Sequence, residues 1–557
     1  MTEPLANQPG ELAGDYETVV VGSGYGGAVT AARLAERGRP VCVLERGKEW
    51  IPGTFPDTAS ELRKNLRGKT CPLGLFDYYL CEDIDVLKGN GLGGTSLVNA
   101  NTALRPDPEL FAHQGPGGRP RWPKLYRDLA GSGELWKYYE RAESMLAVGH
   151  HPKALELAKV QLLKKRADQL TDHEFGPVNI AVNFKFDGPN DVGVAQKPCI
   201  GCNDCITGCN VRAKNTLYMN YLPYAKAHGA QIFTQIEVRS LTASPGGGYT
   251  VVYRRNEADK FGEERTLRAR KVVLSAGTLG STEILLRSAQ GGFAASPRLG
   301  HGFSGNGDFL GLAYNGDHRA NVLGFGNHLD SPRAKVRPGP TIVAAIRYNR
   351  SRPFAERLTV QDFSALPSGL VDLFRRALPV LAVTSGKGTR WGIQEVLAKV
   401  GRVGRDLLHW DPEGAANHSM VYLVMCIDDG AGTMTLGGDD KLKIGWPTLR
   451  KDPSFDRVRA ELLEHARMLD ATYVHLGRFN PLKLSDNLVT AHPLGGCHLA
   501  EDSDSGVVDV DGRVFDGQGG VHPGLFVVDG AIVPMAEAVN PFITISALAE
   551  RIAEKMA

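Results

Sequence analysis

No apolar run of about 18 residues, the length needed to cross a bilayer, occurs in this chain of 557 residues, so no transmembrane helix is expected. The opening stretch, MTEPLANQPGELAG, has no basic segment followed by an apolar core, and no secretory signal is read there. The net charge of +2 leaves no electrostatic case for nucleic acid. The nine cysteines are thinly spread. Without secretory features, they argue for a reducing, cytoplasmic setting and against a disulfide framework. What the chain has in abundance is glycine, 66 residues of it. Much of it sits in short clusters that suggest tight loops and close approach of backbone to a ligand.

The first cluster has the clearest context. ETVVVGSGYGG is a β-branched strand running into a glycine turn. AVTAARLAERG follows as a helix with small residues on one face, stopped by Gly38, and PVCVLERG is a second buried strand. Gly22, Gly24 and Gly27 form G-x-G-x-x-G at the turn. There they allow the turn itself, close approach to a pyrophosphate and close helix–strand contact, with the helix N-terminus facing the phosphates. Glu45 ends the second strand, where an acid binding a ribose hydroxyl belongs. The βαβ unit predicts an ADP-containing cofactor.

A second cluster, GNGLGGTSLVNANT at 89–102, lets backbone lie against a flat ligand, with Thr95, Ser96 and Asn99 able to donate or accept beside it. LWKYYERAESML reads as an ordinary amphipathic helix, in which Tyr138 and Tyr139 pack. RKVVLSAGTLGSTEILLRS reads as a strand, a glycine turn at Gly277–Gly280 and a helix. SMVYLVMCIDD and TMTLGGDDKLKIGWP read as strands, and RVRAELLEHARMLDATYVHL as a helix. Between Gly369 and Leu408 lie apolar helical stretches dotted with Arg and Lys. They are expected to be an amphipathic cover over the core, the alternative being a lid or an element on a membrane surface. The chain closes with TAHPLGGCHLA and FVVDGAIVPMAEAVNPFITISALAERIAEKMA. Asn540 suits an N-cap and Pro541 the first helical position, and Phe542, Ile545, Leu548, Ala549 and Ile552 form one apolar face. His492 sits in a glycine-bounded loop. The near-neutral pKa of a histidine in general suits removal of a hydroxyl proton while hydride leaves the carbinol carbon, although on its own this one reads more readily as a structural histidine. His498 and His522 are read as surface or loop residues, and Glu537 as a solvated turn carboxylate.

Together these blocks resemble the glucose–methanol–choline (GMC) oxidoreductase family, nearest its bacterial cholesterol oxidase branch. They occur in the family's order from end to end, while residues 301–484 match only loosely. The resemblance implies an α/β fold: a Rossmann-like FAD-binding domain assembled from discontinuous segments (15–105, 225–300 and 485–557), and an α+β substrate domain with an antiparallel sheet (106–224 and 301–484). It implies FAD as cofactor, with Gly22, Gly24, Gly27, Glu45, Gly94, Asn99, Val238, Asp529 and Asn540 around it. The closing helix N-terminus would stabilise charge on the reduced flavin. It also implies oxidation of an alcohol to a carbonyl by hydride transfer to flavin N5, with His492 and Asn540 at the substrate hydroxyl. A small hydrophobic, steroid-like alcohol is the expected substrate. Flavin-dependent lyases and isomerases on the same scaffold are the alternative, together with an oxygen-using oxidase. The glutamate that cholesterol oxidases use for double-bond isomerisation falls in the loosely matching region and is not transferred.

One feature stands outside that branch. Cys199, Cys202, Cys205 and Cys209, in CIGCNDCITGC, have the C-x2-C-x2-C-x3-C spacing of bacterial ferredoxin loops. Asn210 replaces the usual proline, and no second run exists. The readings are an iron–sulfur cluster, a four-thiolate zinc site, or unmetallated cysteines. Iron–sulfur-containing GMC sugar dehydrogenases carry a similar loop. That resemblance favours the cluster, which would pass electrons to an acceptor protein or quinone.

Overall fold

The computed structural model describes residues 4–556 apart from 365, 387–392, 409–410 and 476–487. The end of the expected substrate segment, 476–484, therefore lies outside the described residues.

An eight-stranded sheet organises the first half of the fold. Its centre is the strand Asp15–Val21, flanked in parallel by Val41–Leu44 on one side and Phe261–Leu274 on the other. Gln231–Phe233 and Val521–Val527 extend the parallel run on either edge. Val19 and Val20 are fully buried, because a central parallel strand is covered on both faces. The helix Tyr25–Glu36 covers one face through buried Ala28, Ala31, Ala32 and Ala35, whose small side chains let it lie close. Helix Gly277–Gln290 begins at Gly277 itself, so the glycine turn expected at 277–280 is its first turn. An antiparallel hairpin, Ile236–Ala243 and Tyr249–Asn256, leans on the long strand.

The second half is a six-stranded antiparallel sheet. Its order is Thr472–His475, Phe309–Tyr314, Met420–Cys426, Leu358–Gln361, Ala344–Tyr348 and His173–Pro177. The segment read as one helix from 457 divides. The helix Pro453–Met468 ends before Asp470, whose φ is +50°, and Thr472–His475 is a strand. The hairpin Gly432–Leu436 with Leu442–Gly445 joins His301–Phe303 in a small separate sheet.

The stretch 106–224, placed with the substrate domain on sequence, is shared between the two cores. Phe111, Trp122, Tyr126, Tyr138, Tyr139 and Tyr221 pack into the core of the first sheet, whereas Val160, Leu163 and Ile180 join that of the second. Large aromatic surfaces go where they can be buried, and in 109–146 that place is against the closing helix Phe542–Met556.

Candidate active site

A cavity of about 940 Å³ runs between the two sheets. Its inner end is the glycine turn. Gly22 has φ +96°, and a Cβ there would meet the Ser275 carbonyl oxygen at 2.3 Å; at Gly27 it would meet that of Gly22 at 2.0 Å. Gly26, absent from the sequence reading, is as constrained, since its Cβ would fall 1.6 Å from the Val528 oxygen. Gly24 differs: a Cβ there meets nothing within 4 Å and would project into open space, on the cavity wall. The protein itself makes no use of that room, so the glycine fits a ligand lying against the helix N-terminus.

Glu45, 5% exposed, accepts from Ser23 N at 3.2 Å, Ser23 Oγ at 2.6 Å and Gly47 N at 2.8 Å. Ser23 Oγ in turn accepts from Gly93 N at 2.9 Å, tying the two glycine clusters together. Gly94, Asn99, Val238 and Asp529 all line the same cavity. Asp529 accepts from Gly277 N, Ser281 Oγ and Ala531 N, and burial raises its pKa to about 6. Several polar atoms of wall residues, among them those of Asn99, Asn101, Thr102 and Lys88, have no hydrogen-bond partner, although Lys88 is ion-paired. Asn99 Oδ1 has no hydrogen-bond partner, although its Nδ2 donates to Tyr25 Oη at 2.7 Å. Lys88 Nζ also has none, 3.8 Å from Asp77, and burial lowers its pKa to about 8. Buried orphans of this kind normally have partners, and a polar dinucleotide supplies them.

At the outer end His492 and Asn540 meet: Asn540 Nδ2 lies 3.3 Å from His492 Nε2. Two residues that sequence reasoning missed complete the array. Asp308 holds His492 Nδ1 at 2.8 Å, and its other oxygen accepts from Thr490 Oγ1 and Ala491 N, each at 2.9 Å. Gln361 Nε2 donates to Asn540 Oδ1 at 2.6 Å. Asp308 immediately precedes the strand Phe309–Tyr314, and Gln361 ends the strand Leu358–Gln361. The second sheet thus delivers both from its strand ends. Because Asn540 Oδ1 is engaged there, its side chain serves the site instead of capping the closing helix. A proton on Nδ1, facing the carboxylate, leaves Nε2 as an acceptor toward the cavity. Leu310, Phe363, Leu370 and Leu423 make the nearby walls apolar.

The remaining candidates lie elsewhere. Glu537 is not a solvated turn carboxylate. It is 1% exposed, accepts from Thr544 Oγ1 at 2.7 Å, and burial raises its pKa to about 8. Asn306 buries it by accepting from Glu537 N and donating to Val539 O. His498 is bonded to Gly302 O and His522 to Ala294 O, so both are structural.

The chain's family can now be stated. Family models for GMC oxidoreductases match residues 16–305 and 429–549. The chain belongs to the GMC oxidoreductase family. Two relatives that match along nearly all of this chain are a cholesterol oxidase of Acinetobacter baumannii, 28% identical over 96% of this chain and 93% of that protein, and a long-chain-alcohol oxidase of Arabidopsis thaliana, 24% identical over 97% of this chain and 67% of that protein. The fold is shared with the crystal structure of pyridoxine 4-oxidase from Mesorbium loti, with a TM-score of 0.61 at 16% identity, covering 97% of this chain and 98% of that one. As a GMC oxidoreductase the protein is an FAD-dependent enzyme, and the glycine cradle accommodates that cofactor.

The cysteine loop abuts this site. Ile206 and Thr207 line the cavity. Lys214 Nζ donates to Cys205 O at 2.9 Å, Asn99 O at 2.7 Å and Leu97 O at 3.0 Å, and burial lowers its pKa to about 8. All four thiols are free. Burial pushes Cys199, Cys202 and Cys209 up, with repulsion from neighbouring thiols after it and, at Cys202, from Asp204 before them. Among the described residues no three His, Cys, Asp or Glu side chains are placed to hold a single metal ion, so the four-thiolate zinc arrangement is not formed.

Proposed function

We propose that the protein oxidises a hydrophobic alcohol, of steroid-like or long-chain type, to a carbonyl. The observation that carries this reading is the Asp308–His492–Asn540–Gln361 array, set on the wall of an apolar cavity that also contains the dinucleotide cradle. Bound FAD would supply the acceptor of the hydride. The rest falls to the chain. The substrate hydroxyl donates to His492 Nε2, which takes its proton as the carbinol C–H bond breaks. Asp308 keeps Nδ1 protonated and stabilises the imidazolium that results. Asn540, itself fixed by Gln361, orients the hydroxyl oxygen through Nδ2. The apolar walls exclude water and bind the remainder of the substrate by burial. The cholesterol and long-chain-alcohol oxidases among the relatives support a substrate of this class.

The test is anaerobic addition of an alcohol panel to flavin-replete protein. Bleaching of the flavin supports oxidation, whereas conversion with no net flavin reduction would instead indicate a lyase or isomerase. His492→Ala and Asn540→Ala are expected to lose most turnover while keeping FAD. Full activity in a correctly folded His492→Ala protein would overturn the assignment.

For the cysteine loop the proposed reading is an iron–sulfur cluster held by Cys199, Cys202, Cys205 and Cys209. Its support is the ferredoxin-type spacing, four unpaired, half-buried thiols and position beside the Asn99 loop. A cluster also spreads its ligands more widely than one ion does. It would supply one-electron acceptance, favouring a protein or quinone acceptor over oxygen. Iron and labile sulfide in anaerobically purified protein test this, and flavin-replete protein with neither would remove it.

A further inference from the structure

His492 and Asn540 stand 48 positions apart in the chain, yet their side chains meet at 3.3 Å. Asp308 and Gln361 hold the two side chains. The two backbones are joined through one turn, 304–308. On the histidine side, Ser304 N donates to Leu494 O at 3.0 Å and Leu494 N to Ser304 O at 2.9 Å. Thr490 Oγ1, on the other side of His492, lies 2.9 Å from Gly305 O. On the asparagine side stands Asn306, fully buried. Its Oδ1 accepts from Glu537 N at 2.8 Å and its Nδ2 donates to Val539 O at 2.7 Å. Both ends of one carboxamide thus serve the two residues that flank Ala538. Ala538 has φ +56°, in the left-handed region that residues other than glycine rarely adopt. Such a conformation persists only where its surroundings over-determine it, and here the two bonds of Asn306 bracket it. Asn540 follows directly after Val539.

The turn is itself pinned to the second sheet. Asn306 and Gly307 are both left-handed, at φ +57° and +62°, and a Cβ at Gly307 would meet the Cys426 carbonyl oxygen at 2.1 Å. Asp428, just past the strand Met420–Cys426, accepts from Ser304 Oγ at 2.8 Å, Gly307 N at 2.8 Å and Gly430 N at 3.0 Å. Asp308, which orients His492, and Asn306, which grips the chain ahead of Asn540, therefore belong to one fixed element. We infer that Asn306 is a positioning residue for the pair that binds the hydroxyl. It holds Asn540 at the separation from His492 at which one alcohol oxygen reaches both. Asn306 is not on the cavity wall, and it acts through the backbone of 537–540. The inference rests on the roles proposed for His492 and Asn540.

The experiment makes Asn306→Gly in the wild type and again in Asn540→Ala. Glycine accepts the left-handed backbone at 306, so the carboxamide alone is removed. Anaerobic stopped flow reads flavin reduction by cholesterol or 1-dodecanol, whichever the wild type oxidises, in variants whose FAD content and cooperative melting show them folded. The saturating rate of Asn306→Gly is expected to fall about 10- to 100-fold, the scale on which misplacing a reacting group acts. The alcohol concentration giving half that rate should not move, because binding of the apolar remainder is untouched. In Asn540→Ala the same substitution should change the rate by less than about twofold, since a residue that works only through Asn540 has nothing left to act on. A crystal structure of Asn306→Gly should show Asn540 Nδ2 withdrawn from His492 Nε2 beyond hydrogen-bond reach. Should Asn306→Gly fail to fold, Asn306→Asp is the milder change. It keeps the size, the tolerance of left-handed backbone and the acceptor for Glu537 N, and its smaller loss should vanish in Asn540→Ala in the same way. A loss of equal size in both backgrounds, or a wild-type rate in Asn306→Gly, would overturn the inference. Full activity in Asn540→Ala, or a wild-type flavin that neither alcohol bleaches, would instead remove the reading of the site, and this inference with it.

Discussion

Replacing Asp308 by Asn tests the reading of the site most sharply, because the change is one atom and its consequence is fixed by the neighbours. One carboxylate oxygen, Oδ2, faces Thr490 Oγ1 and Ala491 N, each at 2.9 Å, and lies 3.0 Å from His492 Nδ1, while the other, Oδ1, faces His492 Nδ1 at 2.8 Å. An asparagine there must put its oxygen toward Ala491 N, which can only donate, while the Thr490 hydroxyl can turn its proton to Gly305 O at 2.9 Å. The NH2 then takes the nearer position, 2.8 Å from His492 Nδ1, and favours that nitrogen as an acceptor. The ring proton moves to Nε2, the atom that should take the proton of the substrate. The variant thus keeps the shape of the site and loses its base. General base catalysis of this kind contributes about 10²–10⁴-fold, so flavin reduction under anaerobic stopped flow is expected to slow by about that factor. FAD content and melting temperature should stay near wild type. A reduction rate within about threefold of wild type, well short of that contribution, would refute the reasoning.

Other outcomes follow from the same structure. Gly24→Val is expected to fold and to lose FAD, read as the ratio of flavin to protein absorbance, because its side chain occupies open cavity. Gly26→Ala is expected to fail earlier, as insoluble protein, because its Cβ would lie 1.6 Å from a backbone oxygen. Glu537→Gln should change how stability depends on pH. The buried acid has a folded pKa of about 8 against an ordinary 4.5, so its protonated form stabilises the fold below 4.5, and that contribution is lost as pH rises through about 8. The variant should flatten this fall by up to about 1.4 kcal/mol per pH unit, measured by thermal melts across the range. An unchanged slope would mean the acid is not the group responsible. Asn540→Ala should keep FAD and lose most turnover, whereas Gln361→Ala, which removes only the partner fixing Asn540, should lose less in the same assay.

The parts of the site legible in sequence are those that local chain geometry creates. Gly22, Gly24, Gly27 and Glu45 lie within one βαβ unit, so spacing alone announces the cradle. His492 and Asn540 are picked out only by the resemblance of their short blocks to those of the family. Asp308 and Gln361 carry no such signal. They lie 184 and 179 positions from their partners and become neighbours only because the antiparallel sheet ends its strands at the cavity. Glu537 misled because turn composition implies solvent, and only the pairing with Asn306 shows it to be buried. The helix at 393–408 misled in another way. Periodicity identifies an amphipathic helix but not which face turns inward: here Lys399 and Arg402 turn in to Asn315 and Asp470, and Val403 packs on an apolar cluster beside them.

Lys214 has a consequence for how this chain could be re-engineered. A single ammonium satisfies carbonyls of Leu97, Asn99 and Cys205, so two loops far apart in sequence share one fastening. The cysteine stretch is therefore not a self-contained cassette. Transplanting 199–209 into a scaffold without a buried cation at that point would strand the Cys205 carbonyl, and removing Lys214 from this chain would strand all three, each costing about 1–3 kcal/mol. The smallest portable unit runs through Lys214 and takes with it the backbone of Leu97 and Asn99, beside which the flavin ring would lie.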